Sequence, residues 1–577
     1  MKREHEALFF TKPGTQKQRL YEALRAIFVD NLSVKLAAHR FSYSPNTLHV
    51  LISHFRAGKL SSFFIESKPG PKHQPKRDPV RETAIELRKK NRSIYDISRQ
   101  LKEQQHREIS PRSVWEILRQ AGFARLPRRL DEERPDSTRP EPAPKADREA
   151  LDLSPEQALH TQEAGLFLFL PQILELKLPD HVIHADYLGS KPIPPLQYFL
   201  SLLALKLIGR ERYSHVMDSC HDPGLALFTG LNAIPKTTAL TTYSYRIVPE
   251  KNIRFLESLV KRTRELGVIR GESINLDFHS IPHYGEESVL EKLYVPRRGH
   301  AEKSVLACLA QDGDTRVFCY SNAILLKKEM AGEVIRFAQF WKRTTGAYPK
   351  ELVFDSKFTT IEKLNELNKL GIHFITLRRR GEKLVANLLK LPKTAWQRYT
   401  LDVPHRKYQT PRVYETPISL TGYTGFLRQL AVMDLGRDKP TLLITNNTQE
   451  SPELLLTRYA KRMLIENALA DAVHFFHLDA LCSSLHIQVD FSVLVDVVAD
   501  VLYHRFAAQL RGFEDATAKQ IYRKFVNATG TIMIGHRDIQ IIFNRRAHNP
   551  LLMMAGYAEK EIKVPWLHNY VLRYRFV

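Results

Sequence analysis

The chain has 577 residues, 43% hydrophobic and 26% charged, with a formal net charge of +23. One hydrophobic core rarely grows beyond roughly 250 to 300 residues, so this length and composition predict an ordinary globular protein of several domains. The longest apolar runs, such as residues 198–209, are too short to span a bilayer, and we expect a cytoplasmic protein with no membrane partner.

The positive charge is concentrated near the N-terminus. Residues 1–130 contain 27 Lys+Arg against 12 Asp+Glu, so most of the excess lies in less than a quarter of the chain. A basic region of this kind is typical of proteins that bind a polyanion. We therefore predict that the N-terminal part contacts nucleic acid.

Two N-terminal stretches, residues 33–55 and 93–118, share one pattern. Each predicts a short amphipathic helix, a turn and a second helix that begins at a Ser-Pro pair. Ser44 and Ser110 are the predicted N-caps, because a serine side chain accepts from the free N–H groups of the first turn and proline tolerates the first helical position.

This layout is typical of helix-turn-helix units, whose second helix enters the major groove of DNA and whose first residues touch bases. Two ordinary helical hairpins with solvated faces give the same local pattern, but the repetition and the clustered charge favour DNA binding. We predict such units at residues 1–66 and 79–130. The predicted base contacts are the exposed positions at the helix starts: Asn46, His49, Arg112 and Ser113.

The segment that follows is a predicted linker. Residues 131–150 are charged and rich in proline and lack large apolar side chains, which indicates a flexible boundary. Residues 151–271 then contain apolar runs with a helical pattern, and they predict a helical domain without recognisable chemistry.

From residue 272 the pattern changes to short apolar strands. Three strands, a helix, a fourth strand at 350–358, another helix and a fifth strand follow one another, which is the order of an RNase H-like α/β sheet. Asp277 is predicted to end the first strand and Asp355 the fourth. Because these two strands are neighbours in that fold, we expect the two carboxylates to meet at one edge of the sheet.

A pair of carboxylates suits phosphodiester chemistry. The uncatalysed reaction is so slow that an active site must lower the barrier by roughly 20 kcal/mol. Two divalent ions can supply much of this reduction of the barrier, because they activate the attacking oxygen and stabilise the leaving one. Mg²⁺ prefers carboxylate oxygens as ligands.

A third acid is expected from a helix at residues 458–476. Tyr459, Arg462 and Glu466 are spaced i, i+3 and i+7, so they share one helical face. For this helix alone, a surface ion pair between Arg462 and Glu466, contributing less than about 0.5 kcal/mol, is the better interpretation.

Three segments in combination resemble a known family. "LDFHSIPHYGEE", "LVFDSKFT" and "YAKRMLIEN" resemble the DDE transposases of bacterial insertion sequences, in the group marked by a Tyr-x2-Arg-x3-Glu-x6-Lys signature. The resemblance implies that Asp277, Asp355 and Glu466 are catalytic and bind two Mg²⁺ ions, with Mn²⁺ as a substitute. It also implies that Tyr459 and Arg462 contact DNA near the cleaved phosphate.

The resemblance further implies an architecture and partners. The expected fold is multidomain, with N-terminal all-α helix-turn-helix units, a helical domain and an RNase H-like core interrupted by a β-rich insertion. The expected partners are the double-stranded DNA of the element ends and target and a second copy of the chain, in a nucleoid-associated bacterial protein. We assign the first part of the core to residues 272–379 and the β-rich insertion to residues 380–450. The second part of the core, with a C-terminal helical region, is assigned to residues 451–577.

One position departs from the family signature. The signature lysine falls at position 473, which is Val473 here, with His474 beside it. A cation expected near DNA is therefore missing, which puts one DNA contact in doubt but not the metal site.

Two other functions stay open. The missing lysine is compatible with a non-enzymatic, sequence-specific DNA-binding regulator derived from a transposase, and a simple nuclease of the same fold would cut without joining. A separate metal site at His279, His283 and Glu286 is disfavoured, because Pro282 and Gly285 predict a loop there and ligands on one turn rarely converge.

Overall fold

Contacts divide the chain into two compact units, Met1–Pro140 and Glu141–Val577. We call them unit one and unit two. The computed structural model describes the following residues: 14–60, 77–126, 141–283, 289–358, 360–401, 403, 408–462, 464–480, 483 and 485–577. The first half of the predicted linker, residues 131–140, lies outside them, as do Glu286 and Cys482.

Unit one contains two groups of three helices. The first group is α1 (Gln16–Phe28), α2 (Val34–Arg40) and α3 (Pro45–Arg56), and the second is α4 (Arg81–Lys89), α5 (Ile94–Gln105) and α6 (Pro111–Gln120). Each group closes around its own small apolar core.

The starts of α3 and α6 are where the sequence predicts them. The Ser44 hydroxyl accepts from the backbone N–H of Thr47 at 3.0 Å, and the Ser110 hydroxyl accepts from the N–H of Ser113 at 3.2 Å. Because the following proline has no N–H to satisfy, the Ser-Pro pair fixes each helix start.

Unit two begins with a strand and continues with helices. The strand β1 (Gln157–Thr161) stands where the sequence predicts only helix, and it pairs antiparallel with residues 530–534, far along the chain. Six helices follow: α7 (Leu170–Glu175), α8 (Leu178–His184), α9 (Pro195–Leu207), α10 (Pro223–Thr229), α11 (Thr237–Ser244) and α12 (Pro249–Glu265).

A ten-stranded sheet forms the centre of unit two. Its first strands are β2 (Ser273–Pro282), β3 (Lys292–Val295), β4 (His300–Asp312), β5 (Phe318–Leu325), β6 (Glu351–Phe354) and β7 (His373–Leu377). The order β5-β4-β2-β6-β7 is antiparallel between β2 and β4 and parallel between β2, β6 and β7. Two helices connect its later strands: α13 (Met330–Thr345) and α14 (Ile361–Lys369).

The strand that carries Asp277 is longer than predicted. β2 continues to Pro282, so Asp277 lies in its middle and not at its end. The reason is that residues 278–282 keep pairing with β4, a long neighbour whose hydrogen bonds continue past the end of β6.

The segment predicted as a β-rich insertion extends the same sheet. It contains α15 (Glu382–Leu389), β8 (Gln397–Arg398), β9 (Arg412–Ile418), β10 (Leu427–Met433) and β11 (Thr441–Thr445). Because β11 pairs antiparallel with β7, the segment adds four strands to the central sheet in the order β11-β10-β9-β8.

Helical segments follow the insertion. The predicted helix at 458–476 falls on two described segments, α16 (Pro452–Arg462) and α17 (Leu464–His474), with residue 463 outside the described residues. The long helix α18 (His486–Ala507) packs against β5 and is buried along nearly its whole length.

The C-terminal region is a second sheet, which corrects the predicted C-terminal helical region. Its elements are α19 (Ala518–Ile521), β12 (Gly530–Ile534), β13 (Asp538–Phe543), α20 (Asn549–Met554), β14 (Glu561–Val564) and β15 (Tyr570–Phe576). The five strands lie in the order β1-β12-β13-β15-β14. Burial alternates along β13, a period of two that is typical of a strand and not of a helix.

Cysteines and apolar segments complete the description of the fold. Cys220, Cys308 and Cys319 are free and buried. In the described part of the chain, no helix is both long and apolar enough to cross a membrane.

Candidate active site

The register of the central sheet brings two predicted acids together. β2 and β6 are parallel neighbours, and their last paired residues are Leu276 and Phe354. Asp277 and Asp355 are the next residues on these two strands. The sheet therefore places both carboxylates at the same level, where β6 ends.

Aromatic packing supports this edge of the sheet. The ring of Phe278 stacks on Phe358 with centroids 4.0 Å apart, and Phe354 packs against Phe358 at 5.7 Å. Each acid is also oriented by a backbone N–H: Phe278 donates to Asp277 Oδ1 at 2.9 Å, and Ser356 donates to Asp355 Oδ1 at 2.6 Å.

Arg462, at the end of α16, reaches the two strands. Its Nη1 lies 3.5 Å from Asp277 Oδ2, and the side chains of Arg462 and Asp277 are only 7% and 15% exposed. Arg462 is therefore buried, so the interpretation of a surface ion pair with Glu466 is wrong. Its Nε and Nη1 are buried without a hydrogen-bond acceptor among the described residues, and the ion pair with Asp277 is the contact that Nη1 makes.

Tyr459 lies beside Arg462, one helical turn before it. The guanidinium carbon of Arg462 is 5.5 Å from the centre of the Tyr459 ring. Burial raises the pKa of the Tyr459 hydroxyl, the charge of Arg462 opposes this, and the charge of Asp355 adds to it. Tyr459 therefore lies close enough to Arg462 and Asp355 for their charges to change its pKa.

Glu466, in the first turns of α17, is the exposed member of the group. Partial removal from water and the charges of Asp277 and Asp355 raise the pKa of its carboxyl, while Arg462 lowers it. All three predicted acids therefore interact electrostatically, although Glu466 is far from the other two in the chain.

The same coupling is evident at Asp277. Burial raises the pKa of this carboxyl, Arg462 and the Phe278 N–H lower it, and Asp355 raises it again. The positive charge of Lys357, two residues after Asp355, also acts on Asp277. The site thus combines three acids that repel one another with cations that offset part of their charge.

The three carboxylates have the ligand chemistry of a divalent-cation site, but they are not arranged as one. Carboxylate oxygens are the ligands that Mg²⁺ and Mn²⁺ prefer, and the mutual repulsion of the three acids favours a bound cation. As they stand, however, no three described Asp, Glu, His or Cys side chains form a group that could hold a metal ion. The residues fit the ion by their chemistry, but the side chains do not form a closed coordination set.

One polar pair near the site is not predicted from the sequence. His279 lies on the same face of β2 as Asp277, and its Nε2 is 2.7 Å from Asp479 Oδ1. No local pattern indicates Asp479, because it is 200 residues away in sequence. This pairing also shows that His279 has a partner other than the residues of the disfavoured metal site at His279, His283 and Glu286.

The position of the missing signature lysine differs from expectation. Val473 is partly buried and packs against the main apolar core, whereas His474 is exposed. The exposed residues of α17 with described side chains are Glu466, Asn467, Ala470 and His474. The exposed side chain beside position 473 is therefore that of His474.

The predicted base contacts lie in unit one. Asn46 and His49 are exposed on the first turns of α3. Both side chains are accessible where a recognition helix presents residues to bases.

The other two predicted base contacts, Arg112 and Ser113, differ in exposure. Arg112 is 89% exposed and 3.7 Å from Glu116, one turn along α6. Ser113 is half-buried and accepts from Arg77 at 3.4 Å and from the capping Ser110 hydroxyl at 3.1 Å. The prediction that Ser113 is exposed is therefore wrong, because its hydroxyl takes part in the network that caps α6.

Comparison with known proteins gives structural similarity at a low level. No protein-family profile and no curated protein matches the sequence. A piggyBac transposase synaptic complex with hairpin DNA is 10% identical, with a TM-score of 0.35 over 64% of this chain and 82% of that one. A pre-cleavage Mos1 transpososome and a Mos1 paired-end complex with the left transposon end are 10% and 11% identical, each with a TM-score of 0.13 over 62% of this chain and 77% of theirs. Superpositions this loose carry no argument about function, so the function must be argued from the site.

Proposed function

We propose that this protein is a DDE-type DNA transposase that binds the ends of its element and catalyses metal-dependent strand cleavage and strand transfer. The observation that carries the proposal is the placement of Asp277 and Asp355 at the same level of two adjacent parallel strands, beside the buried guanidinium of Arg462. The charges of these two acids also raise the pKa of Glu466 on the following helix. The strand order β5-β4-β2-β6-β7 is also that of an RNase H-like sheet.

In this proposal, Asp277, Asp355 and Glu466 hold the divalent ions. Bound Mg²⁺ or Mn²⁺ activates the attacking oxygen and stabilises the leaving oxygen of a phosphodiester. The chain itself supplies positioning and charge, and no side chain acts as a covalent nucleophile. The first reaction is hydrolysis at the element end, and the second is attack of the freed 3′ hydroxyl on target DNA.

Arg462 and Tyr459 have supporting roles. Arg462 is assigned to a DNA phosphate next to the acids, since a guanidinium matches phosphate geometry, and its contact with Asp277 places its charge there. Tyr459 holds the guanidinium in place through the contact with its ring. Together they bring the phosphate to the carboxylates.

Unit one provides the sequence recognition in this proposal. Asn46, His49 and Arg112 are exposed at the starts of two capped helices in a strongly basic part of the chain. Replacing Arg112 by Ala should weaken duplex binding and relax its sequence preference. The proposed assembly is a homodimer, because two element ends must be joined in one complex.

The test is a cleavage and joining assay on a labelled duplex that carries the sequences flanking the gene, with Mg²⁺ or Mn²⁺. We expect nicked and joined products from the wild type and from Glu362→Gln, which removes an exposed acid on α14, but none from Asp355→Asn. Cleavage by Asp355→Asn at the wild-type rate would sink the assignment.

The assay also separates the two alternatives. Nicking without any joined product would identify a simple nuclease. Equal binding with and without divalent metal, and no cleavage by any variant, would identify a DNA-binding regulator. The latter is the alternative that Val473 favours, because an apolar residue stands where the signature has a lysine.

A further inference from the structure

A groove of about 560 Å³ lies on the second helical group of unit one. Its walls come from the start of α5, the start of α6 and the segment that follows α6. Three of its lining residues are arginines and none is acidic. The complete lining is Arg88, Ser93, Ile94, Tyr95, Pro111, Arg112, Trp115, Arg125 and Leu126.

Arg88 gives the groove a buried positive charge. The residue is only 5% exposed, and its guanidinium donates to the carbonyls of Ala124 at 2.8 Å and Arg92 at 3.2 Å. Burial lowers its pKa, and no carboxylate among the described residues offsets the charge. A buried cation without a counter-charge is costly, so the floor of this groove favours an anion.

The rim adds a second cation and a flat apolar surface. Arg125 lies with its guanidinium 5.5 Å from the centre of the Trp115 ring, and both residues line the groove. Tyr95 also lines the groove and is 70% exposed, which is unusual for a tyrosine in a small packed unit. The groove therefore offers two kinds of surface, arginines for an anion and an accessible aromatic ring.

The first helical group has different residues at the matching positions. Ser33 and Ser93 cap equivalent helices, so Lys35 corresponds to Tyr95. Ser44 and Ser110 are likewise equivalent caps, so His49 corresponds to Trp115. The aromatic walls thus belong to the second group, and the two groups differ in what they can bind.

We propose that this groove binds one unpaired nucleotide of a DNA strand, with its phosphate on Arg88 and Arg125 and its base stacked on Tyr95. The phosphates of an intact duplex can contact the arginines of the groove. The exposed ring of Tyr95 then has no partner, because paired bases are stacked within the double helix. An unpaired base is free to stack on an aromatic side chain. The inference rests on the DNA binding proposed above but not on strand cleavage.

The test uses the full chain and a series of duplexes that contain one unpaired nucleotide at successive positions, compared with the fully paired duplex. A chelator is present throughout, so failure to cleave DNA does not affect the result. At one position of the series we expect the unpaired nucleotide to raise affinity on the order of tenfold, the typical effect of one base stacked on an aromatic ring.

Three variants assign the effect to the groove. Tyr95→Leu keeps an apolar side chain but removes the ring, and Arg125→Gln removes the rim charge; both should abolish the gain. Arg119→Gln is the matched control, because it removes an exposed arginine from the same helix α6 without touching the groove, and it should keep the gain. Arg88 is left intact, because its bonds to two carbonyls hold the fold.

A direct readout of stacking completes the test. A 2-aminopurine at the unpaired position should lose fluorescence on binding to the wild type and keep it with Tyr95→Leu. Equal affinity for paired and unpaired duplexes across the whole series would overturn the proposal and leave a groove for duplex phosphates. A free deoxynucleoside monophosphate that binds more tightly than the strand-borne nucleotide would overturn it too, in favour of a small-molecule effector.

Discussion

Unit two holds two groups of acids that differ in how they are partnered. Asp277, Asp355 and Glu466 meet at the edge of the central sheet, where they repel one another and share the single guanidinium of Arg462. The second group, on α18, consists of Asp490, Asp496 and Asp500, which are buried more deeply.

Each acid of α18 has partners of its own. Asp490 accepts from the backbone N–H of Ala323 at 2.8 Å and from the side-chain amide of Asn252 at 2.7 Å. Asp496 forms an ion pair with Lys206 at 2.8 Å, in which both side chains are 4% exposed. These acids bind neighbouring elements to the helix.

The comparison shows that burial by itself does not identify a functional acid. Burial raises the pKa of Asp490 and of Asp496 to about 6, yet both are explained by contacts within the fold. What distinguishes the sheet edge is that Asp277 and Asp355, on two adjacent strands, both raise the pKa of Glu466 on a helix far along the chain, beside the buried Arg462. Neutralising an acid should therefore have opposite effects in the two groups.

The largest expected effect is on activity at the sheet edge. Glu466→Gln should lower metal-dependent cleavage by roughly 10⁴-fold, the scale of losing an essential catalytic group. Its free energy of unfolding should stay the same or rise slightly, because one repelling charge is removed. Cleavage rates and urea denaturation of the same preparation measure both, and a large loss of stability would place Glu466 with the structural acids.

The α18 group should show the reverse pattern. Lys206→Met leaves Asp496 buried without its counter-charge, and we expect the free energy of unfolding to fall by about 3 to 5 kcal/mol. Adding Asp496→Leu should restore most of that stability, because an apolar pair replaces the ion pair. Denaturant unfolding of the single and double variants measures this, and a double variant as unstable as Lys206→Met would contradict it.

The pH dependence of stability tests Asp490. Its pKa is about 6 in the folded protein, above the value of 3.8 expected for an unperturbed aspartate, so the folded state binds more protons between these values. Stability should consequently fall as the pH rises from about 4 to about 6. In Asp490→Asn the free energy of unfolding should depend less on pH in this range. An unchanged dependence would show that other groups cause it.

The smallest effect is expected at the signature position of α17. Val473→Lys replaces a partly buried side chain that packs on the core, so we expect a loss of about 1 kcal/mol, limited by the ability of lysine to extend its charge to water. His474→Lys, at an exposed position of the same helix, should strengthen DNA binding more than Val473→Lys does. Binding measured at two salt concentrations compares the variants, and a stronger gain from Val473→Lys would restore the signature interpretation.

Much of the site could be predicted from local patterns. Asp277 and Asp355 follow apolar strand residues, and the spacing of Tyr459, Arg462 and Glu466 indicates one helical face. The ion pair between Arg462 and Asp277 and the contact between His279 and Asp479 could not be predicted, because they join residues about 185 to 200 positions apart and depend on tertiary packing.

The fold shows the same division between local and distant information. The capped helices of unit one begin where their Ser-Pro pairs predict, since a cap depends on adjacent residues. The second sheet was missed, because its strands are short and its first strand β1 finds its partner β12 only at residues 530–534. The apolar runs that follow β1 have a helical pattern, so the short alternating pattern of β1 does not stand out in the sequence.

The pairing of β1 with β12 has a consequence for synthesis of the protein. About 370 residues separate the two strands, so at typical rates of translation β1 waits roughly 20 to 70 seconds for its partner to be made. Unit two therefore cannot complete its second sheet until β12 has been made, whereas each capped helix of unit one packs against helices made just before it. A nascent chain can consequently fold unit one long before unit two.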